Sequence, residues 1–124
     1  MSLNVLVAES SPRARKNIIQ SLREIGVRDV TEASDSPEVI RQYKDAQFDL
    51  LFIDWNLPGQ QGRNLVQEIR QINRDVPIIA TLPIGGQNFA QEADRAGASG
   101  LLVKPFTTEI LREKFEKYVG VFTR

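Results

Sequence analysis

Four short apolar runs, each closed by a polar or turn residue, constrain this chain more than anything else in it. Leu3 to Ala8 ends at a polar cluster, and Asp49 to Ile53 stops at Asp54. Val76 to Leu82 stops at Pro83, and Gly100 to Val103 stops at Lys104-Pro105. A run apolar at successive positions is apolar on both faces of a strand. That suits the interior of a parallel sheet covered by helices on both sides. Val27 to Ala33 alternates less cleanly and predicts a more exposed strand.

Helical periods fill the gaps. Ala14, Ile18, Leu22 and Ile25 trace one apolar stripe; Leu65, Val66, Ile69 and Ile72 trace another; Leu111, Phe115 and Tyr118 a third. Ser11-Pro12 fits an N-cap and first helical residue, Ser36-Pro37-Glu38 fits a second start, and Gly26 and Gly97 stand where helix-ending glycines belong. Gln87 to Ala96 predicts the weakest helix, because its stripe is only Phe89, Ala93 and Ala96. Strand and helix thus alternate throughout. Short crossovers require parallel pairing and right-handed connections. The expected fold is α/β, a five-stranded parallel doubly wound sheet, in a single domain over residues 1–124. Ligands of such sheets bind beyond the carboxyl ends of the strands.

Composition limits what could work there. The 124 residues include no His and no Cys. Disulfides, thiolate nucleophiles and most zinc or iron sites are excluded, and the remaining inventory favours hard cations such as Mg²⁺. Sixteen basic residues balance sixteen acidic ones, which argues against general nucleic-acid affinity. No apolar run approaches a membrane span, and Met1 to Ala8 lacks a basic start and a cleavage pattern. A soluble, cytoplasmic protein is the expectation.

Glu9, Ser10 and Ser11 follow the first strand, Asp54 the third, and Lys104 the fifth. On the expected fold Glu9, Asp54 and Lys104 meet on one rim. Two carboxylates and a lysine can serve Mg²⁺-assisted phosphoryl chemistry, with an aspartate as nucleophile and a lysine as point charge against phosphoryl oxygens. The run Asp49 to Gly62, with Asp54-Trp55-Asn56-Leu57-Pro58-Gly59 at its centre, closely resembles the phosphoacceptor segment of two-component receiver domains. Gly97 to Phe106, with Lys104-Pro105, resembles the family's lysine segment, and Asp54-Trp55-Asn56 looks most like the single-domain chemotaxis regulators. The resemblance implies a flavodoxin-like (βα)5 receiver with strand order 2-1-3-4-5. It also implies Asp54 as phosphoacceptor and Mg²⁺ ligand, Glu9 and the Asn56 main-chain carbonyl as further metal ligands, and Lys104, after a cis Lys-Pro peptide, as the phosphoryl contact. A histidine kinase or phosphotransfer protein would be the donor. A protein target would bind the face of the fourth helix, fifth strand and fifth helix, and a homodimer is compatible. The module would be no enzyme beyond Mg²⁺-assisted self-phosphorylation and autodephosphorylation.

Three positions depart from the family pattern. Ser10 replaces one of two adjacent acids, which should weaken Mg²⁺ binding. Counting from Pro77 puts Leu82, which cannot donate a hydrogen bond, where the family carries Thr or Ser; the same count points Thr81 to the other face unless a bulge intervenes. Leu101 replaces an aromatic that the family often uses to report the switch. These changes motivate an alternative, an interaction module working without phosphorylation. A nucleotide or flavin enzyme is the least favoured reading, since no glycine-rich phosphate cradle occurs. No output domain accompanies the receiver-like segment, so action through partners, or origin in a longer protein, is expected.

Overall fold

In the computed structural model, which describes residues 3–120, five parallel strands lie in the order β2-β1-β3-β4-β5. The strands are β1 (Asn4–Ala8), β2 (Asp29–Ala33), β3 (Leu50–Asp54), β4 (Ile78–Leu82) and β5 (Gly100–Val103). The helices are α1 (Pro12–Ile25), α2 (Ser36–Asp45), α3 (Gly62–Ile72), α4 (Ala90–Ala96) and α5 (Thr108–Val119). Strand alternation divides the interior into two cores. Val5, Val7, Leu50, Phe52, Ile79 and Leu102 pack with Ile18 and Leu22 of α1 and with Leu111 and Phe115 of α5. Leu6, Ala8, Leu51, Ile53, Ile78, Ala80 and Leu82 pack on the other side with residues of α2, α3 and α4. Edge strand β2 is more exposed, as its mixed pattern predicts.

The caps explain the boundaries. Ser11 Oγ accepts from the Ala14 N–H at 3.3 Å, Pro12 opens α1, and Gly26 ends it at φ 118°. For α2 the start expected at Ser36-Pro37-Glu38 holds, with the cap one residue before it. Asp35 is the N-cap: its carboxylate accepts from the Glu38 N–H at 2.9 Å, and Ser36 is the first helical residue. The weak helix expected over Gln87 to Ala96 divides into a 3₁₀ turn, Gly86–Phe89, and the seven residues of α4. Neither has a side-chain cap, and α4 buries only Ala93 and Ala96. The lead-in contains Gly85 at φ 78° and Ile84 at 79% exposure.

Candidate functional site

The carboxyl ends of four strands supply the rim. Asp54 closes β3, Thr81 is the penultimate residue of β4, and Glu9 and Lys104 directly follow β1 and β5. Val7, Phe52 and Ile79 face the α1 and α5 layer. The two-residue period of a strand therefore sends Glu9, Asp54 and Thr81 to that same side. All three are buried at the rim.

Thr81 thus corrects the face predicted by counting from Pro77. It pairs in register with Asp54, and in-register neighbours of a parallel sheet share a face. The β4 register runs unbroken against β3 and β5, so no bulge is involved. Pro77 marks where the strand begins but not which face a given residue takes. Leu82 lies on the opposite face, buried in the α2–α3–α4 core, and half-buried Leu101 packs against that core.

Each carboxylate has its own partners. Glu9 Oε1 accepts from Lys104 Nζ at 2.8 Å, and Glu9 Oε2 accepts from the Thr81 hydroxyl at 2.7 Å. Asp54 Oδ2 accepts from the Ser10 hydroxyl at 3.0 Å and the Ser10 N–H at 3.4 Å. Asp54 Oδ1 accepts from the Asn56 N–H at 3.1 Å and lies 3.7 Å from Lys104 Nζ. One ammonium thus sits between two anions. Burial pushes the Glu9 carboxyl above its ordinary pKa; the bonds from Lys104 and Thr81 pull it down, and the nearby Asp54 charge raises it again. The Lys104-Pro105 peptide is cis. Ser10 is a partner of Asp54, while the helix cap belongs to its neighbour Ser11.

Sequence reasoning missed three supports of this rim. Arg15 donates to the Glu9 carbonyl at 2.7 Å and pairs with Glu32 at 2.9 Å, fixing the β1 exit. Its place one turn after the Ser11 cap was the available signal. Trp55 is buried at the rim, and its indole N–H donates to Glu92 at 2.8 Å. Nothing local to Glu92 announces that contact. Gly62 opens α3 against the Trp55 ring, where a Cβ would stand 2.6 Å from the nearest ring carbon. Among the described residues, no group of three or more His, Cys, Asp or Glu side chains could hold a metal. No described helix is long and apolar enough to cross a membrane.

The arrangement can be set beside known proteins. The chain is 36% identical to the chemotaxis protein CheY1 of Helicobacter pylori strain J99, over 95% of this chain and 98% of that one. It is 32% identical to the chemotaxis protein CheY of Pseudomonas aeruginosa, over 93% and 94%. The fold superposes on the chemotaxis response regulator CheY4 of Vibrio cholerae with TM-score 0.86 and 28% identity, covering 95% of this chain and 99% of that one. It also superposes, at TM-score 0.87 and 29% identity over 97% and 99%, on the receiver domain of a Pseudomonas aeruginosa sensor histidine kinase that holds magnesium in its active-site cleft. The profile of the response regulator receiver domain matches residues 5–116. That stretch holds the whole rim from Glu9 to Lys104, and the chain belongs to the family of response regulator receiver domains.

Proposed function

We propose that Asp54 accepts a phosphoryl group and that the protein signals by the contacts this charge alters. The observation that carries the reading is the rim itself: a buried strand-end aspartate with a lysine ammonium 3.7 Å away. In the step, an Asp54 oxygen attacks the phosphorus of a phosphohistidine. The P–N bond breaks, the imidazole leaves with the bonding pair, and an acyl phosphate forms. The donor lies outside this chain, which contains no His; a histidine kinase or phosphotransfer protein supplies it.

The donor set suits Mg²⁺. This ion keeps several waters and needs only one or two carboxylates, and the rim offers two buried ones whose mutual repulsion contributes to the raised Glu9 pKa. Glu9, Asp54 and the Asn56 main-chain carbonyl would hold it. When bound, Mg²⁺ would screen the repulsion between the carboxylate and the incoming anion. With Ser10 in place of a third carboxylate, its affinity is lower than a three-acid rim would have.

The protein's own residues govern the rest. Glu9 occupies both Lys104 and Thr81 in the unphosphorylated chain. Thr81, with one hydroxyl proton, can serve a phosphoryl oxygen only by leaving Glu9, whereas the Lys104 ammonium has three N–H donors and can serve both. Thr81 gives the rim a hydroxyl that Leu82 lacks, and Ser10 orients Asp54. The departures at Ser10 and Leu82 therefore leave the rim with a hydroxyl and an ammonium that could meet a phosphoryl group, which supports phosphotransfer over action without it. The face of α4, β5 and α5 is the target surface in this reading; the exposed Ile84 at its entry supports that choice. A second copy of the chain is the other occupant to test. The compartment this reading requires is the cytoplasm, where ATP-fed kinases work.

The test is intact-mass measurement after incubation with Mg²⁺ and acetyl phosphate. One phosphoryl increment is expected on the wild type and none on Asp54→Asn. An unmodified wild type, under conditions that label an ordinary receiver, would sink the reading.

A further inference from the structure

Glu92 stands off the rim, yet it holds the residue next to Asp54. The Trp55 indole N–H donates to Glu92 Oε1 at 2.8 Å, and the indole is buried. The other end of Trp55 is fixed as well. Its main-chain N–H donates to the Thr81 carbonyl at 2.9 Å, and its ring lies against Gly62. Trp55 is thus a stiff strut, with its backbone one peptide bond from Asp54 and its tip on the first turn of α4. The helix it reaches is loosely held. It has seven residues, no side-chain cap, and only Ala93 and Ala96 buried. Alanines supply little packing area to resist a shift. Leu82 and Leu101 also face this part of the core, but neither carries a hydrogen-bonding group.

We propose that Glu92 is a positioning residue that couples the charge on Asp54 to the placement of α4 through Trp55. Asp54 Oδ1 accepts the Asn56 N–H at 3.1 Å, so a change of charge there tightens or releases the peptide that joins Trp55 to Asn56. The rigid indole carries that movement to Glu92. At 2.8 Å this side-chain hydrogen bond is a directional polar tie between the residue beside Asp54 and this short helix. The proposal rests on Asp54 being the residue whose charge changes.

The experiment uses the full chain and no phosphoryl group. Amide hydrogen exchange over residues 90–96 is compared with and without Asp54→Asn, in wild-type, Glu92→Ala and Glu92→Gln backgrounds. In the wild type, and in Glu92→Gln, whose amide oxygen still accepts, Asp54→Asn changes exchange in α4 by about threefold or more. In Glu92→Ala that response is lost. Trp55, the sole tryptophan, shifts its emission in Glu92→Ala and not in Glu92→Gln. An α4 response of equal size in the Glu92→Ala background, no response in the wild type, or unchanged emission in Glu92→Ala would each overturn the proposal. Phosphotransfer is read separately by mass, so the two readings fail independently.

Discussion

Thr81 Oγ1 has no route to water: the side chain is fully buried and its hydroxyl donates to Glu9 at 2.7 Å. Thr81→Val keeps the shape and removes the donor, which leaves Glu9 Oε2 unsatisfied. An expected loss of about 1–3 kcal/mol should appear in urea denaturation as a lower midpoint with an unchanged slope; an unchanged midpoint would contradict the bond. Ser10 gives the converse experiment. Its hydroxyl stands 3.0 Å from Asp54 Oδ2, so Ser10→Asp sets two carboxylates against each other. Without metal the variant should lose about 1–4 kcal/mol of stability. With Mg²⁺ its half-saturation, followed by Trp55 fluorescence, should fall about tenfold. Equal half-saturation in the two proteins would argue against a metal site at this rim.

At the level of elements, local sequence explains where each piece starts and stops, and fails where two local signals compete. Both Asp35 and Ser36 are good cap residues, and both precede Pro37. The carboxylate of Asp35 reaches the Glu38 N–H at 2.9 Å, and Ser36 is buried inside the first turn. Asp35→Ala should therefore cost about 1 kcal/mol, measured by thermal or chemical unfolding, and full stability in that variant would move the cap to Ser36. The fourth helix shows the opposite limit. Its thin stripe predicts weakness, but the split into a 3₁₀ turn and a short helix depends on Gly85 at φ 78° and on how little apolar surface α4 buries. The α1 boundaries were legible because one cap serine, one proline and one glycine agree there.

Across the whole molecule, the rim is an electrostatic compromise built into a stable sheet. Burial raises the Glu9 pKa, and the bonds from Lys104 and Thr81 only partly offset it. The folded state therefore binds this proton more tightly than the unfolded chain. The stabilisation due to that proton is full below the unfolded pKa and is lost as pH rises through the raised folded value. With chelator present, the unfolding free energy of the wild type relative to Glu9→Gln should improve as pH falls from about 8 to about 5. Denaturant titrations at each pH give this difference, and a trend of opposite sign would contradict the burial of Glu9. The order of strands and helices, the polar ends that form the rim and the candidates Glu9, Asp54 and Lys104 were all readable from the chain, because periodicity, caps and family strings are written in neighbouring residues. The face taken by Thr81, the capture of Lys104 and Thr81 by Glu9, and the bond from Trp55 to Glu92 were decided only by the tertiary structure. They join residues far apart in the chain, and strand register and side-chain reach, which no local period encodes, determine whether such residues meet.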